Sequence, residues 1–113
     1  MNEPTITLKD ADHHSVTRRF DLAGLDELAI VEQVGDEDAP QWERATIRPT
    51  ELTVTYTWQA GHGGTAEPRF TGMRVRPDGT PGTIATGTVQ QHRQPAWLAK
   101  AVEAHAPDGW RAE

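Results

Sequence analysis

The residues with the clearest potential for chemistry lie near the amino terminus, where two acids and two histidines follow one another closely. Asp10, Asp12, His13 and His14 supply the carboxylate and imidazole groups that bind divalent cations. Adjacent histidines in a strand point to opposite faces, so both would reach one ion only if the chain bends between them. Since polar residues are also what a tight turn requires, we favour a polar hairpin tip over a metal site.

Other chemistries are poorly represented in the chain. It contains no cysteine, which excludes disulfides, thiolate zinc sites and cysteine nucleophiles. The segment Gly61–Gly64 contains His-Gly-Gly, but Ser15 is the only serine and no nucleophile elbow is present. The same segment lacks the Lys-Ser/Thr of a phosphate-binding loop. We therefore predict that the protein is not an enzyme, with no catalytic residues and no cofactor.

A basic stripe is the remaining chemical signal. Arg69, Arg74 and Arg76 fall within one predicted strand, and Arg93 follows the next strand. Such a stripe could contact phosphates or an acidic partner, although we favour pairing of these arginines with the many acids of the chain. Two tryptophans, Trp97 and Trp110, are candidates for an interface because an exposed tryptophan near a chain end indicates association.

The elements that must position these residues are predominantly strands. Leu52, Val54, Tyr56 and Trp58 alternate with threonines, which predicts a strand with one buried face. Leu28–Val34 has apolar residues on both faces, so we expect a central strand there. The dipeptide Pro49-Thr50 predicts a turn. The full set of predicted strands is Thr5–Lys9, His14–Phe20, Leu28–Val34, Trp42–Arg48, Glu51–Gln59, Arg69–Arg76 and Thr83–Gln90.

One helix is predicted, between Pro95 and Pro107. Trp97, Leu98, Ala101, Val102 and His105 form a stripe along one side, with Pro95 at the first helical position. A helix this short is marginal alone in water, so it should pack on the sheet. The sequence predicts an α+β fold: an antiparallel meander of six or seven strands with one C-terminal helix. A small β-barrel with a terminal helix is the alternative.

The end of the chain carries a resemblance. The sequence Pro95-x-Trp97-Leu98, followed by Val102, His105 and Pro107 and preceded by Arg76–Thr80, resembles the last third of small uncharacterised proteins of actinobacteria and their phages and plasmids. The resemblance implies an accessory or mobile-element role and no activity.

Length and charge bound the remaining possibilities. The 113 residues fit a single domain, 1–113, and the net charge of −6 disfavours a general nucleic-acid coat or a polybasic membrane binder. Neither a signal peptide nor a membrane-spanning run is predicted, so we expect a soluble cytoplasmic protein. Most of the acidity falls in residues 1–67, with 13 acids and 5 bases.

Three functions follow from these features. The first is a non-enzymatic accessory protein that acts through protein–protein contacts, including pairing with itself as a homodimer through a sheet edge or face. The second is an acidic inhibitor that occupies a basic site on another protein. The third is a weak nucleic-acid binder that uses the strand Arg69–Arg76.

Overall fold

The computed structural model describes residues 13–36, 38–59 and 63–111. In this part of the chain, five strands form one antiparallel sheet, and a short 3-10 helix and one α-helix follow them. The elements in chain order are β1 (His13–Asp21), β2 (Leu28–Val34), β3 (Gln41–Gln59), β4 (Thr65–Val75), β5 (Pro81–Gly87), the 3-10 helix (Gln91–Arg93) and α1 (Ala96–Ala104). The fold is α+β, as predicted from the sequence. The described residues form five strands in place of the predicted six or seven, and the order is not that of a meander, because β1 pairs with β3 and not with β2.

Strand β3 runs the length of the sheet and connects its parts. Its second half pairs with β1, from Glu51 to Gln59, and its first half pairs with β2, from Gln41 to Ile47. On its other side β3 pairs with β4, which in turn pairs with β5. The strand predicted over Thr5–Lys9 lies outside the described residues.

The predicted turn at Pro49-Thr50 is wrong: both flanking segments belong to β3. A bulge lies there instead, between Pro49 and Glu51. Pro49 falls in the gap between the last residue paired with β2, Ile47, and the first paired with β1, Glu51. No strand needs an N–H group from Pro49 on that side, so the chain continues through it. Because the bulge adds one residue, the buried positions change from odd to even.

The core lies on one face of the sheet, beneath α1. Leu52, Val54, Tyr56 and Trp58 are all buried, which confirms the predicted apolar face. Leu98 of α1 is 1% exposed, and the Tyr56 hydroxyl donates a 2.6 Å hydrogen bond to the carbonyl oxygen of Val102. The helix therefore packs on the sheet as predicted. It begins one residue later than expected, because Pro95 takes the N-cap position.

The opposite face of the sheet is polar and has no helix over it among the described residues. Threonine hydroxyls pair across neighbouring strands there, for example Thr57 with Thr65 at 2.8 Å and Thr71 with Thr86 at 2.8 Å. Two side chains on this outer face, Met73 and Ile84, are large, apolar and exposed. We use "outer face" below for this side of the sheet.

Strand β2 is not central, contrary to the prediction from its apolar residues. It pairs along its length with β3, but its backbone pairing with the other end of the sheet is limited, among the described residues, to one isolated bridge in which Val31 and Thr88 exchange two hydrogen bonds, of 2.8 and 3.0 Å. The sheet is not closed by this contact within the described residues, so the alternative of a barrel is wrong.

No described helix has both the length and the apolar character to cross a membrane.

Candidate functional site

The hairpin of β2 and β3 extends past the rest of the sheet. Strand β4 pairs with β3 no further than Ile47, opposite Arg74. Beyond the Val31–Thr88 bridge, the hairpin continues as two strands whose described pairs are Glu32 with Glu43, Gln33 with Trp42 and Val34 with Gln41. We call residues 32–44 the arm. Its position at the end of the sheet leaves it accessible from several sides.

Trp42 is the most conspicuous side chain of the arm. It is 65% exposed, and it lies on the outer face because the alternating residues Ala45 and Ile47 point to the core. The residue opposite is Gln33, which is also exposed. A side chain of this size normally buries most of its surface. An exposed indole on a projecting hairpin is thus a feature that the fold does not require.

Acidic residues lie at the turn of the arm and beside Trp42 in the sequence. Asp36, Asp38 and Glu43 are exposed, and none of them forms an ion pair within the described part of the chain. Glu43 is paired with Glu32 and lies on the opposite face of β3 from Trp42. Arg44, two residues after Trp42 on the same side of β3, is the single base of the arm. The turn itself is held by a 3.0 Å hydrogen bond from the Ala39 amide to the Asp36 carbonyl oxygen.

A buried ion pair joins the base of the arm to β4. Glu32 is 5% exposed, and its Oε1 atom accepts a 2.6 Å hydrogen bond from Nη2 of Arg74. The second carboxylate oxygen of Glu32 and Nε of Arg74 are buried without a protein partner among the described residues. The pair links the base of the arm to β4. Its net contribution to stability is small, because removing two charges from water costs about as much as their attraction returns.

The structure does not bring the four predicted arginines together. Arg69 lies on the outer face and pairs with Glu67 at 2.7 Å, whereas Arg74 points to the inner face and pairs with Glu32. Arg76 follows the end of β4, and Arg93 is exposed in the 3-10 helix. The strand Arg69–Arg76 therefore presents no continuous row of unpaired guanidinium groups.

Both predicted interface tryptophans pack against their own sheet. Trp97 lies edge-on to Phe70, with ring centroids 6.1 Å apart. Trp110 lies edge-on to Tyr56 at 5.2 Å, and its indole N–H donates to the Thr65 carbonyl oxygen at 3.0 Å. Each is half-buried, so each retains some accessible surface. Their packing explains their presence without a partner.

An open groove of about 790 Å³ runs between α1 and the first residues of β4. Its polar side chains are one threonine, two glutamines and one acid, Thr65, Gln91, Gln94 and Glu103, and the rest of its lining is largely apolar. The adjoining edge of β4 is protected from strand pairing, because Pro68 has no N–H and the Gly64 amide donates to Arg111. The groove gathers no set of groups suited to catalysis.

Tyr56 is the buried titratable group on the core face beneath α1. Burial raises the pKa of its phenol, and the positive charge of Arg18 partly opposes this. A phenol held neutral and hydrogen-bonded to a helix carbonyl is a structural group.

Of the predicted metal ligands, Asp10 and Asp12 lie outside the described residues, the side chain of His13 is not described, and His14 stacks on Trp58 at 5.1 Å.

Trp42 was missed as a candidate by reasoning from the sequence. The signal was present, since Trp42 falls out of phase with Ala45 and Ile47 in the predicted strand Trp42–Arg48 and follows an acidic turn. What the sequence did not reveal is that β4 stops short of this part of β3.

No protein-family model matches the chain, and comparisons with curated proteins and with solved structures likewise found no match.

Proposed function

We propose that this is a non-enzymatic protein that acts through protein–protein contacts, and that the arm is its contact surface. The observation that carries the proposal is the 65% exposure of Trp42 at the end of a projecting hairpin. Tryptophan is enriched among the few residues that dominate binding energy at interfaces. It also loses little conformational entropy when it is buried, since it has two side-chain torsions.

The other exposed or aromatic surfaces support the proposal less well. Trp97 and Trp110 already pack on aromatic side chains of the core. Met73 and Ile84 are 45% and 70% exposed and lie opposite each other on β4 and β5. They form an apolar patch without an aromatic anchor. They therefore serve as the internal comparison for the arm.

The test is a comparison of three immobilised proteins exposed to an extract of the source cells: the unmodified chain, Trp42→Ala and Ile84→Ala. Bound proteins are quantified by mass spectrometry. We expect Trp42→Ala to lose at least one partner that Ile84→Ala retains, because truncating an interface anchor costs about 2 kcal/mol or more. Equal capture by Trp42→Ala and the unmodified chain, with loss only in Ile84→Ala, would move the contact surface to Met73 and Ile84.

Self-association is part of the same proposal and has its own test. Homodimer formation through the arm is unfavourable, because two copies would bring acidic turns together. A dimer formed elsewhere, such as along β1, would leave the arm accessible. Light scattering over a range of protein concentrations distinguishes a monomer from a dimer. An accessory role in a mobile element, implied by the resemblance of the last third of the chain, is compatible with either result.

A further inference from the structure

We infer that the arm binds an arginine-rich segment of its partner, with a guanidinium group stacked on the Trp42 indole and others paired with the carboxylates of Asp36 and Asp38. The inference rests on the proposed function and names the chemistry of the partner. The structure supplies both halves of such a site: an exposed aromatic side chain, and two exposed carboxylates at the turn of the same hairpin.

The indole selects for a cation because of its charge distribution. The face of an aromatic ring is negative, and tryptophan attracts a cation above its face more strongly than tyrosine or phenylalanine does. No cation is recorded in contact with Trp42 in the described part of the chain, although Arg44 lies two residues away on the same side. The face of the indole is consequently accessible to a guanidinium from outside.

The carboxylates extend this preference from one cation to several. Asp36 and Asp38 are exposed and take part in none of the three ion pairs that the described residues form. The planar guanidinium of arginine bonds a carboxylate through two parallel N–H groups and also stacks on aromatic rings. Lysine attracts a carboxylate only as a point charge, so an arginine-rich segment should bind more tightly than a lysine-rich one.

Two other occupants are disfavoured by the same charges. A second copy of the arm would place its carboxylates against these, and a nucleic acid would bring phosphates to an acidic surface. Arg44 sets a direction for the bound segment. Cationic residues should lie towards the turn at Asp36 and Asp38, and the position nearest Arg44 should be neutral or acidic.

The experiment uses an acetylated and amidated hexa-arginine peptide as the probe, with hexa-lysine and hexa-glutamate peptides for comparison. The readout is the indole N–H signal of Trp42 in ¹⁵N-labelled protein, identified among the four tryptophans by its loss in Trp42→Leu. We expect hexa-arginine to shift this signal first, hexa-lysine to shift it at higher concentration, and hexa-glutamate to leave it unchanged.

Two variants separate the roles of the ring and the acids. Trp42→Leu should bind hexa-arginine about two- to fivefold more weakly, because it keeps an apolar side chain but removes the ring. Asp36→Asn with Asp38→Asn should weaken binding about three- to tenfold at low salt. The matched control is Asp26→Asn with Asp108→Asn, which removes two exposed acids outside the arm: Asp26 precedes β2 at the end of the hairpin opposite the turn, and Asp108 follows α1. It should leave binding within about twofold of the unmodified protein.

Three outcomes overturn the inference. One is equal weakening by the Asp26/Asp108 control, which indicates general attraction to a chain of charge −6. Another is a shift of a different indole in place of Trp42. The third is a concentration-dependent shift of Trp42 without peptide, which indicates a second copy. If Trp42→Ala still loses a cellular partner in any of these cases, the proposed function stands and the partner has another chemistry.

Discussion

The two ends of strand β3 carry one tryptophan each, in opposite environments. Trp58 is 9% exposed and stacks on His14, whereas Trp42 is 65% exposed and touches none of the described aromatic rings. The strand has the same backbone conformation at both ends. The difference comes from the neighbours: Trp58 lies between β1 and the start of β4, with Gly109 of the C-terminal segment against its indole.

The bulge between Pro49 and Glu51 separates these two environments. After it, the even-numbered residues point to the core and α1 covers them. Before it, the odd-numbered residues point inward, and the even-numbered Trp42 lies on the outer face. One inserted residue thus decides which side chains of the first half become buried. The half of the sheet covered by the helix therefore holds the packed core, whereas the arm presents an exposed indole.

Truncating each of the two tryptophans is the most direct test of this difference between the ends of β3. Trp58→Ala should lower the free energy of unfolding by about 3–5 kcal/mol, because it leaves a cavity among packed neighbours. Trp42→Ala should change it by less than about 0.5 kcal/mol, because its side chain is already in water. Urea unfolding monitored by circular dichroism measures both. A loss above about 2 kcal/mol in Trp42→Ala would place this tryptophan in the core rather than at a contact surface.

The two partners of the ion pair at the base of the arm should differ in how much stability is lost when each is replaced. Arg74→Met leaves a carboxylate that is 6% exposed without its partner and should cost about 3–5 kcal/mol. Glu32→Met leaves the Arg74 side chain, which is 38% exposed and can turn to water, so we expect a cost below about 2 kcal/mol. The double variant should lie closer to the unmodified protein than Arg74→Met does. Urea unfolding of all four proteins forms a thermodynamic cycle.

An additive cycle, with the double variant as unstable as both single changes combined, would contradict the role given to this pair. It would mean that Glu32 and Arg74 are stabilised by other groups. In that case the arm would be joined to the rest of the sheet by the continuous strand β3 and the Val31–Thr88 bridge, without a contribution from the ion pair.

The sequence was most informative where one face of a strand is consistently buried. The alternation of Leu52, Val54, Tyr56 and Trp58 predicted the buried face, and the boundaries of β1, β2 and α1 lie close to those expected. Each of these segments carries its own periodic signal. Local pattern is sufficient there because burial follows the period of the element.

It was least informative where burial depends on distant partners. Pro49-Thr50 has the composition of a turn, and only the register of β1 and β2 shows that its missing N–H falls in a gap. Glu32 gives no local sign of burial, since its partner Arg74 lies 42 residues away. The arm could not be predicted for the same reason, because it exists only where β4 stops pairing with β3.

Tyr56 lies in the half of the sheet that α1 covers, and its hydroxyl joins the sheet to the helix. Tyr56→Phe removes the hydrogen bond to Val102 and should lower the free energy of unfolding by about 0.5–1.5 kcal/mol at neutral pH. Burial raises the pKa of this phenol above 10.0 in the folded state. Its contribution is therefore complete below pH 10.0 and is lost as the pH rises through the folded value.

The chain has a single tyrosine, so its tyrosinate absorbance reports this residue alone. The midpoint of that titration should lie above 10.0 in the folded protein and should fall when urea unfolds it. Unfolding midpoints measured on both sides of pH 10.0 should decline more steeply for the unmodified chain than for Tyr56→Phe. Equal slopes would show that the phenol is not protected by α1.

The smallest expected effect concerns the turns of the two hairpins, β2–β3 and β4–β5. In the β4–β5 turn, Oδ1 of Asp78 accepts hydrogen bonds from the Thr80 hydroxyl at 2.6 Å and the Thr80 amide at 3.0 Å, and these bonds lower the pKa of the carboxyl. The described turn of the arm has only the Ala39–Asp36 backbone hydrogen bond. Asp78→Ala should speed hydrogen exchange at the Thr80 amide and leave global stability unchanged, since the group is exposed.

The same turn should respond to acid in a defined direction. Because the folded pKa of Asp78 is lowered, its effect is present above the ordinary value of 3.8 and is lost as the pH falls through the folded value. Exchange at Thr80, corrected for the intrinsic rate, should then approach that of Asp78→Ala, while exchange at Ala39 should be the same in both proteins. If Ala39 changed as well, the two hairpins would be coupled through their shared base, and the arm could no longer be treated as independent of the sheet beside it.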